Sequence, residues 1–409
     1  MMMSDARTVM VWSAASRHIQ MNALPPLTLY VHIPWCVKKC PYCDFNSHEW
    51  KNTADWPEKE YLDALRRDLE LALPSIWGRR IQSVFIGGGT PSLLSAAGID
   101  RLLSNMRACL PLNPDAEITL EANPGTFEAD KFKQFRASGV NRLSIGIQSF
   151  NDAHLNALGR IHNTQPARRA VEIARDAFDH FNLDLMFALP GQTFDECRAD
   201  IETALSYAPP HLSIYQLTLE ANTYFSKYPP RLPDDEQCAD MQDWIHARLH
   251  DARYAHYEVS AYAQPHQRCQ HNLNYWQFGD YLGIGAGAHS KLSFPQRIVR
   301  QVRYKQPTAY LRQCAENAPI QQEYEVSAED VPFEFMLNAL RLTEGFPIHQ
   351  FTERTGLPLR AIEMPLRAAI TRGLLIRDHQ TIVPTPLGRR FLSDLQALFL
   401  KTSSPPFCK

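Results

Sequence analysis

From residue 27 onward, short runs of aliphatic and β-branched residues alternate with longer segments in which apolar residues recur every three or four positions. That alternation predicts strands joined by helical crossovers, the pattern of a parallel sheet. Six strands are expected: LTLYVHI (27–33), IQSVFIG (81–87), EITLEA (117–122), RLSIGIQ (142–148), LDLMFAL (183–189) and LSIYQLTL (212–219). Between the first two, EKEYLDALRRDLELAL sets Tyr61, Leu62, Leu65, Leu69 and Leu73 on one helical face. TQPARRAVEIARDAF and TFDECRADIETALSYA each open on a Thr suited to cap a helix. After residue 260 the alternation fades, and CQHNLNYWQFGDYLGIGAGAHS (269–290) reads as a loop rich in Gly, aromatics and His. PFEFMLNALRLTEGF is an apolar helix stopped by Gly345, and residues 346–400 read as helix, turn, helix and short hairpin. The first 24 residues carry no helical or strand period, and Met21 offers a second start, so 1–24 is expected to be a disordered extension or a misassigned start. The organisation that follows is 1–24 extension, 25–265 β/α domain, 266–345 linking region and 346–402 small C-terminal domain.

Composition narrows the setting more than the chemistry. A formal net charge of -2 gives no general drive toward nucleic acid or an anionic membrane. Nine cysteines, three clustered and six scattered, are unlike the even framework of a small secreted protein, and a reducing cytoplasm is expected. No stretch approaches the ~18 apolar residues of a membrane span.

The unusual residues gather at one end of the predicted strands. Cys36, Cys40 and Cys43, GGGTPS (87–92), EANPGT (121–126), QSF (148–150), PGQT (190–193) and Glu220 each fall at or just beyond a strand's C-terminal end. Ligands and catalytic groups collect at that end in β/α barrels and open α/β sheets, so one site built from six loops is expected.

Three thiolates within eight residues suit a metal centre that lacks a fourth protein ligand. A structural zinc needs four closed ligands, for which His32 or Asp44 would have to serve. A four-iron cluster held by three thiolates instead leaves one iron open. GGGTP is neither a P-loop nor a dinucleotide fingerprint; it is either a tight turn or a stretch of bared backbone for a close-lying zwitterion. Glu121 and Asp184 put carboxylates on apolar strands, where each needs a partner.

Taken together, C-x-x-x-C-x-x-C after the first strand, with Tyr42 before the third cysteine, resembles the radical S-adenosylmethionine (SAM) superfamily, and the likeness runs over about residues 27–345. It implies a partial (β/α)6 barrel, a 4Fe-4S cluster on Cys36, Cys40 and Cys43, and SAM on the open iron. It also implies SAM contacts at Tyr30, Tyr42, Gly88, Gly89, Thr90, Glu121, Gln148, Arg160 and Asp184. YVHIPWCVKKCPYCDF, SIGIQSF, LGRIH and LDLMFALPGQT narrow the resemblance to relatives of the oxygen-independent coproporphyrinogen III oxidase. Two departures count against that activity: Phe45 stands where the oxidase has a further Cys, and only 29 residues precede Tyr30.

HNLNYW, His271–Trp276, instead matches the H-N-x-x-Y-W signature of HemW-type proteins, which are haem chaperones. The resemblance makes His271 the expected haem ligand, with Tyr275 and Trp276 against the porphyrin face and Cys269 or His289 as substitutes. Residues 346–402 resemble a winged helix. Their excess of four positive charges over 346–401 is too thin for a nucleic-acid surface, and a lid or partner-docking role is expected. The expected function is therefore a haem chaperone that passes haem to an acceptor protein and carries a SAM-ligated cluster fed by an electron donor. The alternatives are a radical SAM enzyme acting on a porphyrinogen and, more distantly, a zinc-stabilised DNA-binding regulator.

Overall fold

The computed structural model describes residues 18–50, 56–126 and 129–400; the first 17 residues of the expected extension lie outside them. Six strands run parallel and in sequence order: β1 (Leu27–Ile33), β2 (Ile81–Gly88), β3 (Leu112–Ala122), β4 (Arg142–Gln148), β5 (His180–Phe187) and β6 (His211–Gln216). Each pairs with the next, from Ile33 beside Gly88 to Phe187 beside Gln216. The strands are nearly continuous apolar runs because helices cover one face and the barrel interior the other. The barrel stays open: β1 takes a further parallel neighbour rather than closing on β6.

The crossover helices follow their sequence signals closely. Glu58–Ala72 buries Tyr61, Leu62, Leu65 and Leu69 as the spacing predicts. Thr193 caps Phe194–Ser206 in a reciprocal capping box with Glu196. The other expected Thr cap is displaced by one residue: Asn163 caps Thr164–Ala177.

The expected loop at 269–290 is ordered structure. Gln270–Trp276 is a short helix, and β9 (Asp280–Ile284) runs parallel to β1 as the barrel's continuation. β7 (Ala255–Glu258) and β8 (Ala261–Ala263) extend the sheet beyond β6. On the other side, β10 (His289–Phe294), β11 (Arg297–Arg303) and β12 (Ile320–Glu325) add antiparallel strands beyond β9. Together they make one twelve-stranded sheet.

The C-terminal part has its own three-stranded sheet, from Phe346–Pro347, Leu375–Arg377 and Thr381–Pro384, packed with Ile348–Thr355 and Glu363–Thr371. Its core does not stop at residue 346. Phe335 sits among Phe278, Phe346 and Phe351 with ring centroids 5.0–5.6 Å apart, so one apolar cluster spans both parts. Ile19 and Met21 are buried in that same cluster, and Met21 N–H donates to Pro295 O at 2.8 Å. Residues 18–24 therefore correct the expectation of a disordered extension: two apolar side chains and backbone hydrogen bonds hold them.

Candidate functional site

The C-terminal ends of β1 to β6 converge on one mouth, and the cysteine loop lies across it. The loop is tied down by its own side chains. Lys39 Nζ donates to Phe45 O and Ser47 O, both at 3.2 Å. Asn46 Nδ2 donates to Ala286 O and Lys305 O, both at 2.9 Å, fastening the loop to the turn that follows β9. His32 is held on both sides, by Tyr30 Oη at Nδ1 and Asn46 O at Nε2, each 2.9 Å away.

Cys36, Cys40 and Cys43 are half-buried and line one cleft of about 370 Å³ together with Gly88, Gly89, Thr90, Glu121, Gln148, Arg160 and Asp184. Tyr42 lines it too, packed behind the loop against Phe225. Of the residues expected around SAM, only Tyr30 lies elsewhere, in a second cleft that shares Gly88 and Glu121 with the first. Burial raises the Cys36 and Cys43 thiols, so a cationic centre would be needed to hold them as thiolates. Among the described residues no three His, Cys, Asp or Glu side chains converge closely enough to cage a single ion.

The glycine run is a packing device first. A Cβ on Gly88, whose φ is +116°, would meet the His32 ring at 2.6 Å, and one on Gly89 would meet Trp35 O at 2.4 Å. Its backbone donors are already committed within the protein: Gly88 N–H to Glu121 Oε2 at 3.0 Å, Gly89 N–H to Ile33 O at 2.7 Å and Thr90 N–H to Trp35 O at 2.8 Å. Of the two readings open from the sequence, the tight turn is the one these contacts fit: the glycines let the backbone approach the cysteine loop closely, and Glu121 is the one side-chain acceptor of the three.

The two strand carboxylates have different settings. Glu121 is pushed up to about 8, by burial first and then by the nearby Asp184 charge. Asp184 is also raised by burial, although it accepts from Asn182 Nδ2 at 2.8 Å and Ser144 Oγ at 3.1 Å. Arg160 donates through Nη2 to Gly146 O at 2.8 Å and approaches Cys40 Sγ through Nη1 at 3.7 Å; its Nε is buried without a partner. That unpartnered donor beside a thiol-lined cleft is suited to an anionic ligand group. Gln148 ends β4 at a φ of +69°, a left-handed conformation that turns the chain sharply at the mouth.

His271 is placed differently from the expectation. It is 1% exposed, packed between the Phe85 and Tyr275 rings at 5.1 Å each, with Nδ1 3.0 Å from Ser83 Oγ. Its Nε2 is buried without a partner, and burial brings the ring down to about 3, so it is neutral. For Nε2 to reach a haem iron, those rings or the helix would have to move. Cys269 is likewise fully buried, against Glu117. Trp276 is covered by the Arg341 guanidinium at 4.2 Å, whereas Tyr275 does line the second cleft.

That second cleft, about 730 Å³, is larger and is walled by Tyr275, Tyr281, His32, His48, His289 and Lys305. Phe45, 60% exposed, stands at the boundary of both clefts. Sequence reasoning singled out Tyr275, His32 and His289 but missed Tyr281, His48 and Lys305 in this wall. It also missed a polar chain inside the barrel, in which Asn182 Oδ1 meets His211 Nδ1 at 2.7 Å and His211 Nε2 meets Tyr257 Oη at 2.8 Å. The available signal was an Asn and a His on otherwise apolar strands.

Comparison with known proteins agrees with this fold. The family model of the radical SAM superfamily matches residues 30–204, and that of the HemN C-terminal domain matches residues 326–391. The chain is similar to the heme chaperone HemW of Escherichia coli, 48% identical over 93% of this chain and 100% of the relative. Its likeness to the heme chaperone HemW of Bacillus subtilis is 33% identity over 91% of this chain and 98% of the relative. Among solved structures it resembles E. coli coproporphyrinogen III oxidase (HemN), described as a radical SAM enzyme, with a TM-score of 0.78 and 25% identity over 92% of this chain and 90% of that one.

Proposed function

The chain belongs to the HemW family of the radical SAM superfamily, and on that premise we propose that it binds haem and passes it to acceptor proteins, with a cluster and SAM at the barrel mouth. The observation that carries the reading is end-to-end similarity to heme chaperones named HemW, joined to a thiol-lined cleft opening onto a much larger one.

In this reading Cys36, Cys40 and Cys43 hold a 4Fe-4S cluster, which supplies an electron and an open coordination site when bound. Arg160 presents its buried, unpartnered Nε to the SAM carboxylate, and Asp184 offers acceptors to the ribose hydroxyls. Glu121, mostly protonated at neutral pH, gives up none of its hydrogen bond to Gly88 while offering a proton into the cleft. Tyr42 packs behind the cysteine loop against Phe225 and gives the cleft an aromatic back wall. No described helix is long and apolar enough to cross a membrane.

Mixing haem-loaded protein with the apo form of a haem protein, and following the acceptor's own absorbance, tests the transfer step. The acceptor should fill faster than from free haem; equal or slower filling would sink the transfer role. The second reading, a radical SAM enzyme acting on a porphyrinogen, draws on the structural likeness to coproporphyrinogen III oxidase. Against it stands Phe45, a phenyl ring at the point where the sequence of that oxidase is expected to carry a further cysteine.

A further inference from the structure

We infer that haem lies in the 730 Å³ cleft beside the cysteine loop, with its iron on the imidazole of His289 and its carboxylates toward Lys305 and Lys39. The inference rests on the haem-carrier reading and adds to it a location and a ligand, the HNLNYW helix contributing the Tyr275 ring to the wall but not the ligand.

Size and lining select the cleft. Its volume is within the roughly 300–1,000 Å³ of pockets that enclose a drug-sized ligand, which suits a porphyrin better than a nucleotide fragment or a single ion. Tyr275 and Tyr281 present two aromatic rings whose centroids are 4.3 Å apart, and Phe45 adds a third at the rim. Flat apolar faces of this kind are what a macrocycle packs against. Lys305 lines the same cleft as His289 and forms no ion pair among the described residues. A porphyrin carrying two carboxylates would complete that balance.

Elimination selects the ligand. An axial histidine must bring a ring nitrogen with a free lone pair to the iron. His32 has both ring nitrogens engaged, by Tyr30 and by Asn46. The His48 ring is bonded to the backbone of Lys305 through one nitrogen, and its Nε2, although unpartnered, is buried away from the open cleft surface that His289 reaches. His271 is sealed behind Phe85 and Tyr275. His289 is exposed on the cleft wall, at the first position of β10, and among the described residues no hydrogen bond holds its ring.

The location has a consequence for the carrier. The haem cleft and the thiol-lined cleft share Cys43, Asp44, Phe45, Ser47, Gly88 and Glu121, so cargo and cluster would be separated by a single layer of side chains. Phe45 becomes the partition between them.

Haem titration of the full-length protein, with the absorption spectrum read for histidine ligation, tests the placement in wild type, H289A, H271A and K305E. H289A should lose the histidine-ligated spectrum and bind haem about tenfold or more weakly, as for loss of a metal-site interaction, and added free imidazole should restore the spectrum. K305E should weaken binding about two- to fivefold, the effect of one partly exposed charge pair. H271A should keep the wild-type spectrum. Loss of the spectrum in H271A with retention in H289A, or retention in both, overturns the placement while leaving the carrier reading intact. A wild-type protein that takes up no haem overturns the carrier reading itself, and this inference with it.

Discussion

Cys36, Cys40 and Cys43 are the only cysteines among the described residues that face a common cleft; Cys197, Cys238, Cys269 and Cys314 are buried in packing roles. Their half-exposed setting makes each replaceable without opening the core. Replacing any one by Ala should sharply lower the iron and sulfide retained after anaerobic reconstitution, while Cys109→Ala should retain the wild-type complement. Equal iron in all four variants would remove the cluster from these positions. The cysteines were legible in the sequence because their spacing is local, as were Glu121, Arg160 and Asp184 once a resemblance had supplied their roles. His289 was legible only as a substitute ligand, because its merit depends on what the other histidines are doing. That His32 is held by Asn46, or that His271 is roofed by Phe85, follows from contacts between distant segments that no periodicity encodes.

At the scale of elements, the strands and long helices were readable because each repeats a period over many residues. The exception is instructive. Gln270–Trp276 has seven residues, too few to show a period, and its N-terminus is not capped by a residue in its own neighbourhood. Glu117 of β3 does that instead, accepting from Gln270 N–H at 3.1 Å and His271 N–H at 3.0 Å. A carboxylate at a helix N-terminus satisfies two orphan donors and complements the helix dipole, and this one also faces the buried Arg142 at 3.9 Å. Glu117→Ala should therefore destabilise the protein by about 0.5–2 kcal/mol in chemical denaturation, the cost of losing a helix N-terminal cap whose donors are one exposed and one part-buried. Glu117→Gln, which can still accept, should cost less. Two variants indistinguishable from wild type would show that the helix is held by its packing alone.

For the whole molecule, burial of neutral histidines sets the response to acid. His32, His162 and His256 are brought down to about 4 and His271 to about 3, each chiefly by burial, and His211 is well below its ordinary value for the same reason. A histidine depressed in the folded state contributes stability above its unfolded value near 6.5 and loses it as the pH falls toward the folded one. Three carboxylates oppose this: Glu121, raised to about 8, Asp200, raised to about 6, and Asp184 are all favoured protonated by burial. Five imidazoles outnumber three carboxylates, so the unfolded chain takes up more protons. Stability should fall steadily as the pH drops from about 6.5 to about 4. Thermal unfolding of the apo-protein across that range checks the sign, and a midpoint that holds or rises on acidification would contradict it. Because one apolar cluster around Phe335 joins the C-terminal sheet to the barrel's extension, that loss should appear as a single transition rather than as early release of the C-terminal part.

The same unity of construction places two connected clefts at the barrel mouth and fixes the question that matters most, which is whether the larger one carries haem as cargo or a porphyrinogen as substrate. Haem titration of anaerobically reconstituted protein, run beside an incubation with SAM, reductant and coproporphyrinogen III, separates the two. Saturable, stoichiometric haem uptake with the porphyrinogen left unconsumed is the predicted result; conversion of the porphyrinogen by a protein that takes up no haem would contradict it.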